Sequence, residues 1–143
     1  MRITDPDQLY AGKTIFRVHV FNEAHKLKMT SIQKCKVLRV PITSSNSNDP
    51  NFIELQYDAK YIKINLDDFT WQYKMFTHPG HPQENSLQDM GVIPNHYNLH
   101  QTFDNLGDAK EYICKTLQVK IMEPKDKQTR NNYDQAMKGV GLN

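Results

Sequence analysis

Residues 13–21, KTIFRVHVF, decide the fold class. Phe16, Val18 and Val20 alternate with Arg17 and His19, the period-two pattern of a strand with one buried face. The same alternation returns at residues 60–66, where Ile62, Ile64 and Leu66 are separated by Lys63 and Asn65. Residues 31–42, SIQKCKVLRVPI, read as another strand, with Cys35 and Val37 on one parity and Ile32, Leu38, Val40 and Ile42 on the other. A face that switches along one strand predicts a bulge or strong twist. Residues 52–57 add a strand, joined to 60–66 by Asp58-Ala59, which reads as a tight hairpin. TWQYKMFT, residues 70–77, places Trp71, Tyr73 and Met75 on one face.

Between the strands lie two irregular stretches. Residues 43–51, TSSNSNDPN, are all polar or turn-forming. Residues 78–95, HPGHPQENSLQDMGVIPN, carry three prolines and two glycines, which exclude a long regular element and predict a long loop. A short strand at 96–103 then leads into a helix over 105–118. Asn105 or Asp104 is its cap, Asp108 lies near its positive end, and Ala109, Tyr112, Ile113, Thr116 and Leu117 form its apolar stripe. Near the other end, Asp5-Pro6-Asp7 has the chemistry of a capped helical turn.

These elements predict an α+β fold: a curved antiparallel sheet or small β-barrel with one α-helix packed against it. The expected core is Phe16, Val18, Val20, Val37, Ile53, Leu55, Ile62, Ile64, Tyr73, Phe103, Ala109, Tyr112, Ile113 and Leu117. With 143 residues the chain suits a single domain, read here as residues 1–122. Residues 123–143 form a polar tail in which Tyr133, Met137 and Val140, with Ala136, follow helical spacing. A partner-binding tail and a helix docked on its own domain both fit that pattern. Mean hydropathy is −0.73. No run approaches the ~18 apolar residues of a membrane span. The two cysteines, Cys35 and Cys114, sit in apolar segments and read as free buried thiols of a reducing compartment. The expected location is the cytoplasm.

Three sets of residues could carry function. A basic segment, Lys26, Lys28, Lys34, Lys36 and Arg39, falls within fourteen residues and is a candidate nucleic-acid face. The net charge of only +2 favours a solvated hairpin over a dedicated nucleic-acid module. Four of the six histidines, His78, His81, His96 and His100, lie within 23 residues and form a candidate metal set, with Glu84 or Asp89 able to complete a three-ligand site. Zinc or another divalent metal would then support a hydrolase, although surface histidines without cofactor are the simpler expectation. Paired aromatics, Trp71 with Tyr73 and Tyr57 with Tyr61, could stack bases, but core positions suit them better. Ala11-Gly12-Lys13-Thr14 lacks the earlier glycine and the following helix of a phosphate loop.

The run Tyr97-Asn98, then Thr102-Phe103-Asp104-Asn105-Leu106-Gly107-Asp108-Ala109-Lys110-Glu111-Tyr112-Ile113, after a curled sheet, resembles small accessory proteins of large tailed bacteriophages of the T-even type. The resemblance rests on the aromatic before the cap, the acidic first turn and the Ala-x-x-Tyr face, and covers mainly residues 96–117. It implies a protein of the host cytoplasm that binds a host or phage protein, and transfers no catalytic residue. Its oligomeric state is not legible in the sequence.

Overall fold

The computed structural model describes residues 1–23, 26–42, 51–66, 68–76, 82–93 and 99–117. Six strands form one antiparallel sheet: β1 (Thr14–Glu23), β2 (Lys26–Ile42), β3 (Phe52–Asn65), β4 (Thr70–Met75), β5 (Gln83–Ser86) and β6 (Gln101–Phe103). Their order is β4-β3-β2-β1-β6, and β5 pairs with β3 beyond the stretch that β4 occupies. The sheet is curved and open, so the sheet rather than the barrel is the architecture. Beyond β6 the first residues add backbone pairing: Ile3 N donates to Thr102 O at 2.8 Å and Asp104 N to Met1 O at 3.0 Å.

The sheet buries opposite faces at its two ends. In the aligned column Val18, Ile32 and Ile62, even-numbered residues point into a first core with Phe16, Val20 and Ile64. In the column Ile15, Cys35 and Tyr57, odd-numbered residues point the other way, into a second core with Val37, Ile53 and Leu55. Side chains alternate along a strand, so one long pair of strands can serve both cores. The face switch read in residues 31–42 is this change of core.

The first core is roofed by helix α1 (Leu106–Glu111), through Ala109 and, just beyond it, Ile113 and Cys114. Asn105 caps α1, its Oδ1 accepting from Asp108 N at 2.8 Å, as its position predicts. After six residues the helix widens into a π-helical turn, Tyr112–Leu117. The longer turn lets the neighbouring Ile113 and Cys114 both face the core below Ala109. The second core is covered by Ile3 and Leu9 of the entry segment and by Leu87, Met90 and Val92 after β5. The predicted turn at Asp5 is a 3-10 turn, Pro6–Gln8, closed by a capping box between Asp5 and Gln8.

Three expectations are corrected. Asp58-Ala59 is no hairpin: β3 runs unbroken for 14 residues. The pairing steps from Gln33↔Tyr61 to Cys35↔Tyr57, so Asp58, Ala59 and Lys60 of β3 lie opposite only Lys34 of β2. The dipeptide lacks the positive-φ residues that a two-residue turn needs, and the chain absorbs it as a bulge. Within the stretch 78–95 no long element forms among the described residues, but the short Gln83–Ser86 pairs with the edge of Phe52–Leu55. Tyr73 is 47% exposed instead of buried: of its row on β4, it is Trp71 that packs on the first core. Tyr112 is half-buried and turns its hydroxyl outward to donate to Leu99 O at 2.8 Å. The side chain of Leu117, a strand at 119–122 and the tail 123–143 with Tyr133, Met137 and Val140 lie outside the described residues.

Candidate functional site

The odd face of β1 leaves the second core as Arg17, His19 and Phe21. A charged residue one step from Ile15 therefore ends up beneath β5 and the turn after it. Arg17 is only 4% exposed. Its NH1 donates to Tyr57 Oη at 2.6 Å and to Asn85 Oδ1 at 2.8 Å, and its NH2 pairs with Asp89. Tyr57 also donates to Asn85 Oδ1, at 2.7 Å. A buried guanidinium needs a counter-charge and filled hydrogen bonds. Here β3 supplies one bond, β5 another and the turn the carboxylate, while the buried Nε has no hydrogen-bond partner. Arg17, Tyr57 and Asn85 line a pocket of about 180 Å³, with His19, Phe21 and Phe76 on its walls.

His100 joins the cluster from the strand side. Its Nδ1 accepts a hydrogen bond from Val20 N at 2.9 Å, and its ring stacks on His19 with centroids 4.0 Å apart. Burial first, then the charges of His19 and Arg17, push its pKa down to about 4, against the pull of Asp89. Burial and Arg17 likewise lower His19, with Asp89 opposing. Both rings are therefore neutral at neutral pH. With Nδ1 accepting, the proton of neutral His100 sits on Nε2, which is 3.8 Å from Asp89 Oδ1.

His19, Asp89 and His100 place three metal-type donor atoms within 4.8 Å of one another. Of the four histidines in the sequence-level metal set, only His100 belongs to this group; His78, His81 and His96 lie outside the described residues. A cation at His100 Nε2 would have to displace the proton that the Val20 contact keeps there. It would also sit beside the Arg17 guanidinium. The geometry suits an internal ion-pair and hydrogen-bond cluster better than a cation.

The described members of the basic segment are spread along β2. Lys34 and Lys36 share the even face and border a shallow depression of about 520 Å³ at the β3 bulge, with Thr14 and Gln56. Lys28 is half-buried three alternations along the strand from Lys34, toward the β1–β2 end. Arg39, shifted by a second irregularity, forks onto Glu54 at 3.0 and 3.3 Å. The side chain of Lys26 is outside the described residues. The thiols behave as expected: Cys35 and Cys114 are buried, and burial pushes both up to about 12. Neither is a nucleophile at neutral pH.

The sequence did not announce Arg17, His19 or Asn85. Arg17 and His19 occupy the solvent side of a clean alternation, and the only hint that this side is covered is Ile15 on the same parity. Asp89 was legible as an acid within the histidine-rich stretch.

The outer end of the sheet differs in character. β4 pairs with β3 from Lys60↔Met75 to Asn65↔Thr70, and among the described residues nothing pairs with its other edge. Trp71 packs on the first core, while Tyr73 and Met75 on the same face are exposed. Gln72 and Lys74 occupy the opposite face and are also exposed.

Taken together, an open antiparallel sheet with one capped helix and a buried polar cluster around Arg17 defines a small α+β protein. The family model described as Phage g100-like protein matches residues 3–116, and the chain belongs to that family. It is a phage protein. No curated protein and no solved structure matches it significantly.

Proposed function

We propose that this phage protein is a non-enzymatic accessory factor of a T-even-type phage that acts in the host cytoplasm by binding a phage or host protein. The observation that carries this reading is the outer edge of β4, which no strand pairs with among the described residues, with Tyr73 and Met75 exposed beside it. An exposed strand edge is a template for another chain, and apolar side chains beside it supply contact energy. The described polar chemistry points the same way: Arg17, Tyr57, Asn85 and Asp89 are engaged with one another, and both thiols stay protonated.

The test is comparative capture from lysate of phage-infected cells, using the wild-type chain and the double variant Tyr73→Ser, Met75→Ser. A protein held stoichiometrically by the wild type and lost by the variant supports the reading. Identical capture by both, or capture of nothing, removes it. Both positions are exposed, so the variant should keep the fold, checked by its amide spectrum.

A further inference from the structure

An added strand has two rows of side chains, and β4 sets different conditions for each. On the face shared with Ile62 and Ile64, its row is Trp71, Tyr73 and Met75, with Met75 65% exposed. On the other face its row is Gln72 and Lys74, backed one strand inward by Tyr61 and Lys63, which pair with Lys74 and Gln72. Neither Lys74 nor Lys63 forms an ion pair among the described residues. A strand laid on this edge would meet Trp71, Tyr73 and Met75 on one side, with Lys60 behind Met75, and Gln72 and Lys74 on the other, with Lys63 behind Gln72, alternating residue by residue.

Resting on the protein-binding reading above, we infer that the occupant of the β4 edge is an extended segment of a partner protein whose sequence alternates apolar and acidic residues. The apolar residues lie against Tyr73 and Met75, and the acidic ones beside Lys74 and Lys63. Lys74 has a second effect. A lysine on an edge strand discourages pairing between two copies of the same edge, because two β4 strands would bring like charges together. An acidic strand removes that repulsion, so the residue that hinders self-association selects the partner.

Fluorescence anisotropy at low ionic strength tests this with four labelled probes: extended peptides alternating Glu with Val, Gln with Val and Lys with Val, and oligothymidylate. The Glu–Val peptide is expected to bind, to shift the amide resonances of β4, and to weaken as salt is added. Lys74→Gln should weaken it about two- to fivefold, the range of an exposed ion pair. Tyr73→Ser with Met75→Ser should weaken it about tenfold or more. Equal binding of the Gln–Val peptide, preference for the Lys–Val peptide, preference for oligothymidylate, or no binding by any probe overturns the inference. Competition separates the two readings. A protein captured through Tyr73 and Met75 that the Glu–Val peptide cannot displace sinks the acidic-strand inference alone. Capture indifferent to Tyr73 and Met75 sinks both.

Discussion

The Nδ1 of His100 takes the backbone N–H of Val20 at 2.9 Å, where the β1–β6 ladder would otherwise continue. Extrapolating the register places Leu99 opposite Val20, but the Leu99 carbonyl accepts from the Tyr112 hydroxyl. One imidazole and one phenol thus end the ladder with its groups satisfied. Protonating His100 at Nδ1 would remove the acceptor and bury a charge beside Arg17.

That relationship fixes a pH dependence. In the unfolded chain His100 titrates near 6.5; in the folded protein it is held down to about 4. Between these values the unfolded state binds more protons, so stability is full above about pH 6.5 and falls as pH drops toward 4. The loss attributable to this group is about 3 kcal/mol across the window. Urea unfolding at a series of pH values measures it. His100→Asn, whose Oδ1 can stand in for Nδ1, should fold and show a flatter profile. An unchanged slope would remove His100 as the cause.

The same tautomer bears on metal. Zinc, manganese or iron titrated into protein prepared without a histidine tag should leave the His19 and His100 ring resonances where they were. A stoichiometric shift of both would mean that the Val20 hydrogen bond yields to a ligand bond, and would support the metal reading.

Gly91 and Gly12 both have positive φ, 75° and 93°, yet they should respond differently to alanine. A Cβ on Gly91 would lie 2.0 Å from His100 O, whereas one on Gly12 meets nothing within 4 Å. Gly12→Ala should cost only the left-handed backbone penalty, about 1–2 kcal/mol. Gly91→Ala adds a clash with backbone, and a loss of about 3 kcal/mol or more is expected. Thermal unfolding of the two variants gives the order directly.

Arg17 and Asp89 should be unequal partners. Asp89 is 49% exposed at its side chain and can turn to water if Arg17 is gone. Arg17 has no such exit. Arg17→Met leaves Tyr57 and Asn85 still bonded to each other, whereas Asp89→Asn leaves a buried cation without its carboxylate. Asp89→Asn should therefore be the more destabilising change, by about 2 kcal/mol. The reverse order in chemical denaturation would show that packing of the Arg17 stem dominates.

Where alternation was unbroken, sequence and structure agree. Phe16, Val18, Val20, Ile62 and Ile64 all lie in the first core, and Asn105 caps α1. What was not legible depended on long-range partners. Gln83–Ser86 has no strand propensity of its own and becomes β5 because Phe52–Leu55 offers an edge. Tyr73 has the parity of a core residue and stays exposed on the outermost strand, where it is Trp71 that packs on the first core. The Arg17 cluster joins β1, β3, β5 and a turn, positions up to 72 residues apart in the chain, and no local pattern encodes such a meeting.

The opposite-face burial has a mechanical consequence. β2 and β3 act as one continuous beam, with each end clamped from a different side. Neither clamp can open without releasing a stretch of strand that the other needs for alignment, so the two interiors share one melting event although they share few side chains. Damage at one end, in the packing beneath α1, is felt at the other as lost register around the Asp58 bulge, where the beam is already bent.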